Sequence, residues 1–221
     1  MMKGLMLLVG AVQTDDNKLA KYHFFVRKLH SFLGVFPISI FLIEHLITNS
    51  LATISPRMFN TAVSYMQSIP YLAAIEILFI ALPLTLHALY GLYIVYVAEN
   101  NTFRYPYLRN WMFYLQRGSA LVTLVFILIH VWHLRVAHSL YGLDINFLSV
   151  QNQMADPLWL TFYIIGLLTT TFHFANGLWN FSVSWGIVVG EHAQNFLWKL
   201  CMLFFIFSSI LGIAAIRAFI Q

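Results

Sequence analysis

Charge is what this sequence lacks most. Of 221 residues, 12 are Lys or Arg and 8 are Asp or Glu, so 9% are charged, against about 25% in an ordinary soluble domain. So few charges cannot cover the surface of a water-soluble protein of this length. With 60% hydrophobic residues and a mean hydropathy of +0.76, composition alone selects the membrane class. Cysteine is nearly absent too. The lone Cys201 excludes an intrachain disulfide, a cysteine zinc cluster and an iron–sulfur site. No Cys-x-x-Cys-His exists, which excludes c-type haem attachment, and Cys201 reads as a packing residue in an apolar run. There is no internal repeat, low-complexity tract, nucleotide-binding loop, nucleophile triad or carboxylate pair suited to catalysis. No nucleic-acid partner is expected.

What is present is a set of five long apolar segments, roughly Ser31–Leu51, Tyr71–Ala98, Trp111–Ala137, Leu158–Trp185 and Phe196–Ile220. Each exceeds the roughly 20 residues that cross a bilayer, and in lipid each must be helical to satisfy its own backbone. The expected fold is all-α: one transmembrane bundle over residues 1–221, with short connections at Ser55–Pro56, Glu99–Arg109, Ser139–Pro157 and Val189–Asn195. Leu5–Val12 after Lys3 resembles a short signal-peptide core, but a convincing cleavage site is lacking and polar Gln13–Lys18 follows. Residues 1–21 read as a surface or interfacial extension.

Basic residues orient the bundle. With the N-terminus inside, Lys3, Lys18, Lys21, Arg27, Lys28, Arg104, Arg109, Arg117 and Lys199 lie on the inner side, leaving Arg57, Arg135 and Arg217 outside. Tyr71, Tyr105, Tyr107, Trp111, Trp159 and Trp185 sit at segment ends as interfacial anchors.

Nine histidines are many for such a chain, and His45, His87, His130 and His173 fall well inside spans. Ionisable groups are costly there and tend to be functional. A single one reads most simply as a neutral core histidine bonded to a neighbouring helix; four together require more. At a rise of about 1.5 Å per residue, His45 and His130 lie roughly 21 and 28 Å from the inner face. His87 and His173, on helices running the other way, lie roughly 23 Å from the outer face. The four sort into two pairs at two levels, as two six-coordinate haems require, with one neutral imidazole on each side of each iron. Iron with both axial positions filled can only change redox state, so the chemistry expected is electron transfer. Gly91 and Gly177, four residues after His87 and His173, and Gly34, eleven before His45, admit a flat macrocycle or close helix packing. Pro83, four before His87, can kink its helix.

The runs Arg27-Lys-Leu-His30-Ser-Phe-Leu-Gly-Val, Phe41-Leu-Ile-Glu-His45, Leu86-His87-Ala-Leu-Tyr-Gly91, Arg109-Asn-Trp-Met-Phe-Tyr-Leu-Gln-Arg117, His130-Val-Trp-His and Phe172-His173-Phe-Ala-Asn-Gly177-Leu-Trp closely resemble the cytochrome b membrane-anchor subunits of succinate:menaquinone oxidoreductases of the Bacillus type. Anchors of quinol:fumarate reductases are related. The resemblance runs from about Tyr22 to the C-terminus. It implies a multi-pass protein of a bacterial cytoplasmic membrane carrying two haems b, His45 and His130 on an outer haem and His87 and His173 on an inner one. It implies a flavoprotein partner that oxidises succinate, an iron–sulfur partner on the inner face, and menaquinone as electron acceptor. The chain would be the redox anchor, not the succinate-oxidising part.

Among other polar residues, His30, Ser31, Arg27 and Arg117 at the inner end are candidate haem-propionate partners, or inner-face anchoring groups. Glu76 and Glu44 are the acids within spans and candidates for a quinone proton path, or hydrogen-bonded core acids, with Glu76 on the His87 face. His133 and His138 read as an outer rim cluster with Arg135, and His23 and His192 as inner-surface residues. Two other readings share these features: a di-haem anchor of another quinone-linked oxidoreductase, and a transporter that uses buried histidines for protons.

Overall fold

Five helices long and apolar enough to cross a membrane dominate the computed structural model, which describes the backbone of residues 2–220 and the side chains of 21–220 except His138. The extension expected at residues 1–21 and the rim role of His138 thus fall almost wholly outside the described side chains.

The first span ends α1 (Met2–Ser50) and a single 3₁₀ turn at Leu51–Thr53. The second comprises α3 (Leu72–Glu76), a π-turn at Ile77–Ala81 and α4 (Leu82–Val97). The third comprises α5 (Leu108–Val131), a second π-turn at Trp132–Val136 and α6 (Ala137–Tyr141). The fourth is α8 (Pro157–Ser184) and the fifth α9 (Glu191–Phe219). Two short helices interrupt connections that read as loops in sequence: α2 (Pro56–Gln67) and α7 (Phe147–Met154). Their start signals are local. Ser55 accepts from the Met58 amide with Pro56 in the first turn, and Asn146 and Ser149 form a reciprocal capping box.

The first π-turn has an identifiable cause. Pro83 has no N–H for the helical ladder, and the Leu82 N–H reaches back to the Ile77 oxygen, five residues away. One extra residue is absorbed there. π-turns of this kind gather at functional sites.

The first and second spans pack together, as do the third and fourth, and α1 also meets α8; α9 lies outside this group against α8 and α1. Small residues set the close contacts. A Cβ at Gly166 would collide with Phe126, and one at Gly212 would come within 2.7 Å of Leu167 Cδ2. Thr171 and Ser209 hydroxyls bond across α8 and α9 at 3.0 Å. At one end, hereafter the basic end, Lys28 donates to the Ser184 carbonyl and Arg109 to Gln194. At the far end Phe59, Phe147 and Phe219 form an aromatic plug, with ring centroids 5.0 to 6.3 Å apart, that ties α2 and α7 onto the end of α9. Around the outside, Leu128, Phe207 and Ile210 are among many largely exposed apolar side chains. Apolar exposure on that scale is foreign to a soluble monomer and natural against lipid.

Candidate functional site

The four intramembrane histidines meet in two pairs. His45 from α1 and His130 from α5 have ring centroids 5.8 Å apart, and His87 from α4 and His173 from α8 have them 6.3 Å apart. Ring planes are close to perpendicular in both pairs, at 86° and 77°.

In three of the four rings Nδ1 already has a partner. His87 Nδ1 lies 2.9 Å from the His30 main-chain oxygen, and His173 Nδ1 lies 3.1 Å from that of Gln116 and 3.4 Å from Ser119 Oγ. His130 Nδ1 lies 3.3 Å from the Tyr163 hydroxyl, which itself donates to Gln153 Oε1 at 3.4 Å. An Nδ1–H held by an acceptor fixes the tautomer and leaves Nε2 as the basic nitrogen, the usual arrangement for a metal-binding imidazole. Two imidazole–metal bonds of about 2 Å placed in line, plus the rings' own size, separate centroids by roughly 6 Å. Both pairs meet that spacing. Among the described residues no group of three or more His, Cys, Asp or Glu is arranged to hold a metal ion. Two imidazoles alone do not complete the coordination of a bare metal. They suit a metal whose other positions are filled by a planar ligand of its own.

His30 is nearer to His87 than His173 is. Their rings stack with centroids 4.1 Å apart and planes 6° from parallel, and His30 Nδ1 lies 3.1 Å from the His87 oxygen. Stacked rings keep their in-plane lone pairs in separate, nearly parallel planes, so His30 and His87 cannot both point at one metal. His30 is a support for His87. Gly34 sits beneath the same ring, and a Cβ there would overlap it. Sequence spacing placed Gly34 on the face of His45; the helix crossing gives it to His87, because His87 comes in from α4 at the level of Gly34. Gly91 gives room to His30, where a Cβ would be 3.4 Å from Cε1, and Gly177 to Gln116, 3.2 Å from Nε2.

The remaining candidates are dispersed. Ser31 donates to the Lys28 oxygen at 2.9 Å and accepts from Trp185 Nε1 at 2.9 Å. Arg27 is exposed. Arg117 is buried, donates to Asn100 and lies over the Phe113 ring, while its Nη1 has no partner. Glu44 accepts from Thr48 at 2.5 Å. Glu76 is clamped by Arg135, whose Nε and Nη2 reach its two oxygens at 2.6 to 3.1 Å. His133 packs on Trp159 at 4.7 Å, His23 and His192 are exposed, and Cys201 is buried.

No family model matches the chain. It is similar to the succinate dehydrogenase cytochrome b558 subunit of Bacillus subtilis (strain 168), 45% identical over 197 residues that cover 89% of this chain and 97% of that protein. The chain belongs to the succinate dehydrogenase cytochrome b subunit family. A shorter likeness, 41% over 66 residues, covers 29% of the chain and 54% of the succinate dehydrogenase hydrophobic membrane anchor subunit of Thermoplasma acidophilum. Membership fits the five apolar helices and makes the chain a multi-pass bacterial membrane protein.

Tyr163 and Gln116 are supporting residues that sequence reading does not single out. Tyr163 lies 33 positions from His130, and Gln116 57 from His173. No local pattern links such pairs. Arg135 reads in sequence as an outer-side cation, with Arg57 and Arg217, beside His133; its pairing with Glu76 is what the sequence does not announce.

Proposed function

We propose that this chain is the redox anchor of a succinate dehydrogenase, carrying electrons from an iron–sulfur subunit through two haems b to menaquinone. The observation that carries the reading is the pair of opposed imidazoles at each of two levels, with Nδ1 engaged on three of the four rings. His87 and His173 would hold one haem and His45 and His130 the other. When bound, such a haem would supply one-electron chemistry.

The protein's own part is positioning. Gln116 and His30 main-chain oxygens hold their rings by fixed backbone, and Tyr163 holds His130 by a side chain. Two levels joined by one bundle shorten each electron step relative to the width of the membrane. Placing the basic end inside satisfies the positive-inside rule. The His87–His173 level, linked to His30 near that end, then faces the iron–sulfur and flavoprotein subunits. The His45–His130 level lies on the menaquinone side, where Glu76 and Glu44 are the acids available for proton uptake.

A dithionite-reduced minus oxidised spectrum of the purified chain tests this. Two b-type components are expected, together with copurifying flavoprotein and iron–sulfur subunits. A spectrum without a b-type band refutes the redox reading in favour of a proton-carrying transporter. A molybdenum or nickel partner refutes the succinate assignment.

A further inference from the structure

The far end of the bundle holds an open cavity of about 890 Å³ that none of the four paired histidines lines. It lies where spans stop. Ala52 and Thr53 close the first span, Ala214 and Arg217 come from the last turns of the fifth, and the beginnings of α2 and α7 complete the rim. Its volume is in the range of small-molecule sites.

Arg217 is the cation in the lining, and no Asp or Glu contributes to it. Three other arginines of the bundle are engaged, Arg135 with Glu76, Arg117 with Asn100 and Arg109 with Gln194, whereas Arg27, Arg57 and Arg104 have no side-chain hydrogen bond or ion pair among the described residues and lie outside this lining. The Arg217 guanidinium has no hydrogen-bond or ion-pair partner among the described residues. Gln151 also lacks one. Asn60 spends its carbonyl on the Phe147 amide at 2.7 Å, and its NH₂ group has no partner. Among the described residues the cavity thus presents unused donors and an unneutralised charge. A neutral quinone would leave that charge uncompensated. The same walls carry Ile54, Phe147, Leu148 and Ala218, which are useless to a free inorganic anion but suit a glycerol and the start of an acyl chain. Helix beginnings at the rim add to the positive potential, although their caps already use part of their amides.

We propose that this cavity binds the phosphate headgroup of an anionic phospholipid, with Arg217 on the phosphate and Asn60 and Gln151 as further donors. The depth agrees, because span ends mark the headgroup level of the bilayer. This site is independent of the haem reading and lies at the ends of α1 and α9, which it would tie to α2 and α7.

The test uses the complete chain, purified in mild detergent from membranes and reconstituted in nanodiscs of phosphatidylcholine with phosphatidylglycerol. After re-extraction, retained phosphatidylglycerol is counted per protein. Wild type should retain one more tightly held molecule than Arg217→Gln, whose affinity should fall roughly tenfold for loss of a charged hydrogen bond. Arg217→Lys should keep most of the retention. Arg57→Gln, at a neighbouring cation outside the lining, should match wild type. Equal retention by wild type and Arg217→Gln overturns the proposal. So does binding of radiolabelled inorganic phosphate to lipid-stripped protein in an Arg217-dependent manner, which would make it a free-anion site. Displacement of the retained lipid by a menaquinone analogue would also overturn it, as a quinone site.

Discussion

His173 and Gln116 hold one another reciprocally: the ring Nδ1 meets the Gln116 main-chain oxygen at 3.1 Å, and the Gln116 side-chain amide donates to the His173 oxygen at 3.0 Å. His87 and His30 repeat the device on the opposite side, ring nitrogen to main-chain oxygen in both directions. The His87–His173 level is therefore held by backbone, which no side-chain substitution at the supporting residue removes.

That distinction separates His30 from His87 in an experiment. His30→Ala keeps the carbonyl that His87 uses, so it should retain the haem of this level with at most a shifted midpoint potential. His87→Ala and His173→Ala should both lose it, and lose the same spectral component. His45→Ala and His130→Ala should lose the other one. The check is a redox titration followed at the b-band for the five variants. Loss of haem in His30→Ala equal to that in His87→Ala would show that the stacked neighbour is the ligand.

At the other level the support is a side chain, so it should be fragile. Tyr163→Phe removes the 3.3 Å partner of His130 Nδ1 and little else of the shape. Supporting groups of this kind are worth about 10- to 100-fold in metal affinity. Haem retention at the His45–His130 level should fall by at least about tenfold, while the other component stays at wild-type occupancy. Haem-to-protein ratios after dilution into haem-scavenging apo-globin read this directly.

Much of the arrangement of helices is legible in the sequence alone. Apolar runs of the right length and four histidines at countable depths suffice to place helices and levels, because rise per residue in a membrane helix is nearly constant. What escaped the sequence depends on helix crossings and on contacts far apart in the chain. Helix face alone puts Gly34 with His45, yet the approach of α4 gives it to His87. α2 and α7 escaped because twelve- and eight-residue helices between spans carry short apolar patterns; their caps at Ser55 and Asn146 were readable signals. The Glu76–Arg135 clamp joins residues 59 apart, each next to or within a π-turn that periodicity does not announce.

Gly34 offers a steric test with an internal control. A methyl group at Gly34 would overlap the His87 ring, whereas one at Gly118 meets nothing within 4 Å. Both glycines are helical, so Gly→Ala should favour each helix by about 0.5–1 kcal/mol if packing were indifferent. Gly118→Ala should therefore be neutral or stabilising. Gly34→Ala should displace His87 and reduce the same spectral component as His87→Ala. A Gly34→Ala protein with both components intact would mean that the ring has room to move, and that the glycine serves helix packing alone.

The clamp on Glu76 allows its structural and proton-carrying roles to be separated. Its side chains are 44% and 31% exposed, so the pair should contribute less than about 1 kcal/mol to stability, measured as the coupling between Glu76→Gln and Arg135→Gln in thermal melts. A proton carrier must exchange its proton, and a carboxylate gripped through both oxygens exchanges only when the grip opens. Arg135→Gln should then leave menaquinone reduction unchanged or faster. Glu76→Gln should slow it about a hundredfold, the ordinary scale of general acid catalysis, while succinate-dependent reduction of an artificial dye by the soluble subunits stays constant. Equal losses from the two substitutions would reduce the pair to a strut between the second and third spans, and proton uptake would pass to Glu44, hydrogen-bonded to Thr48 beside His45.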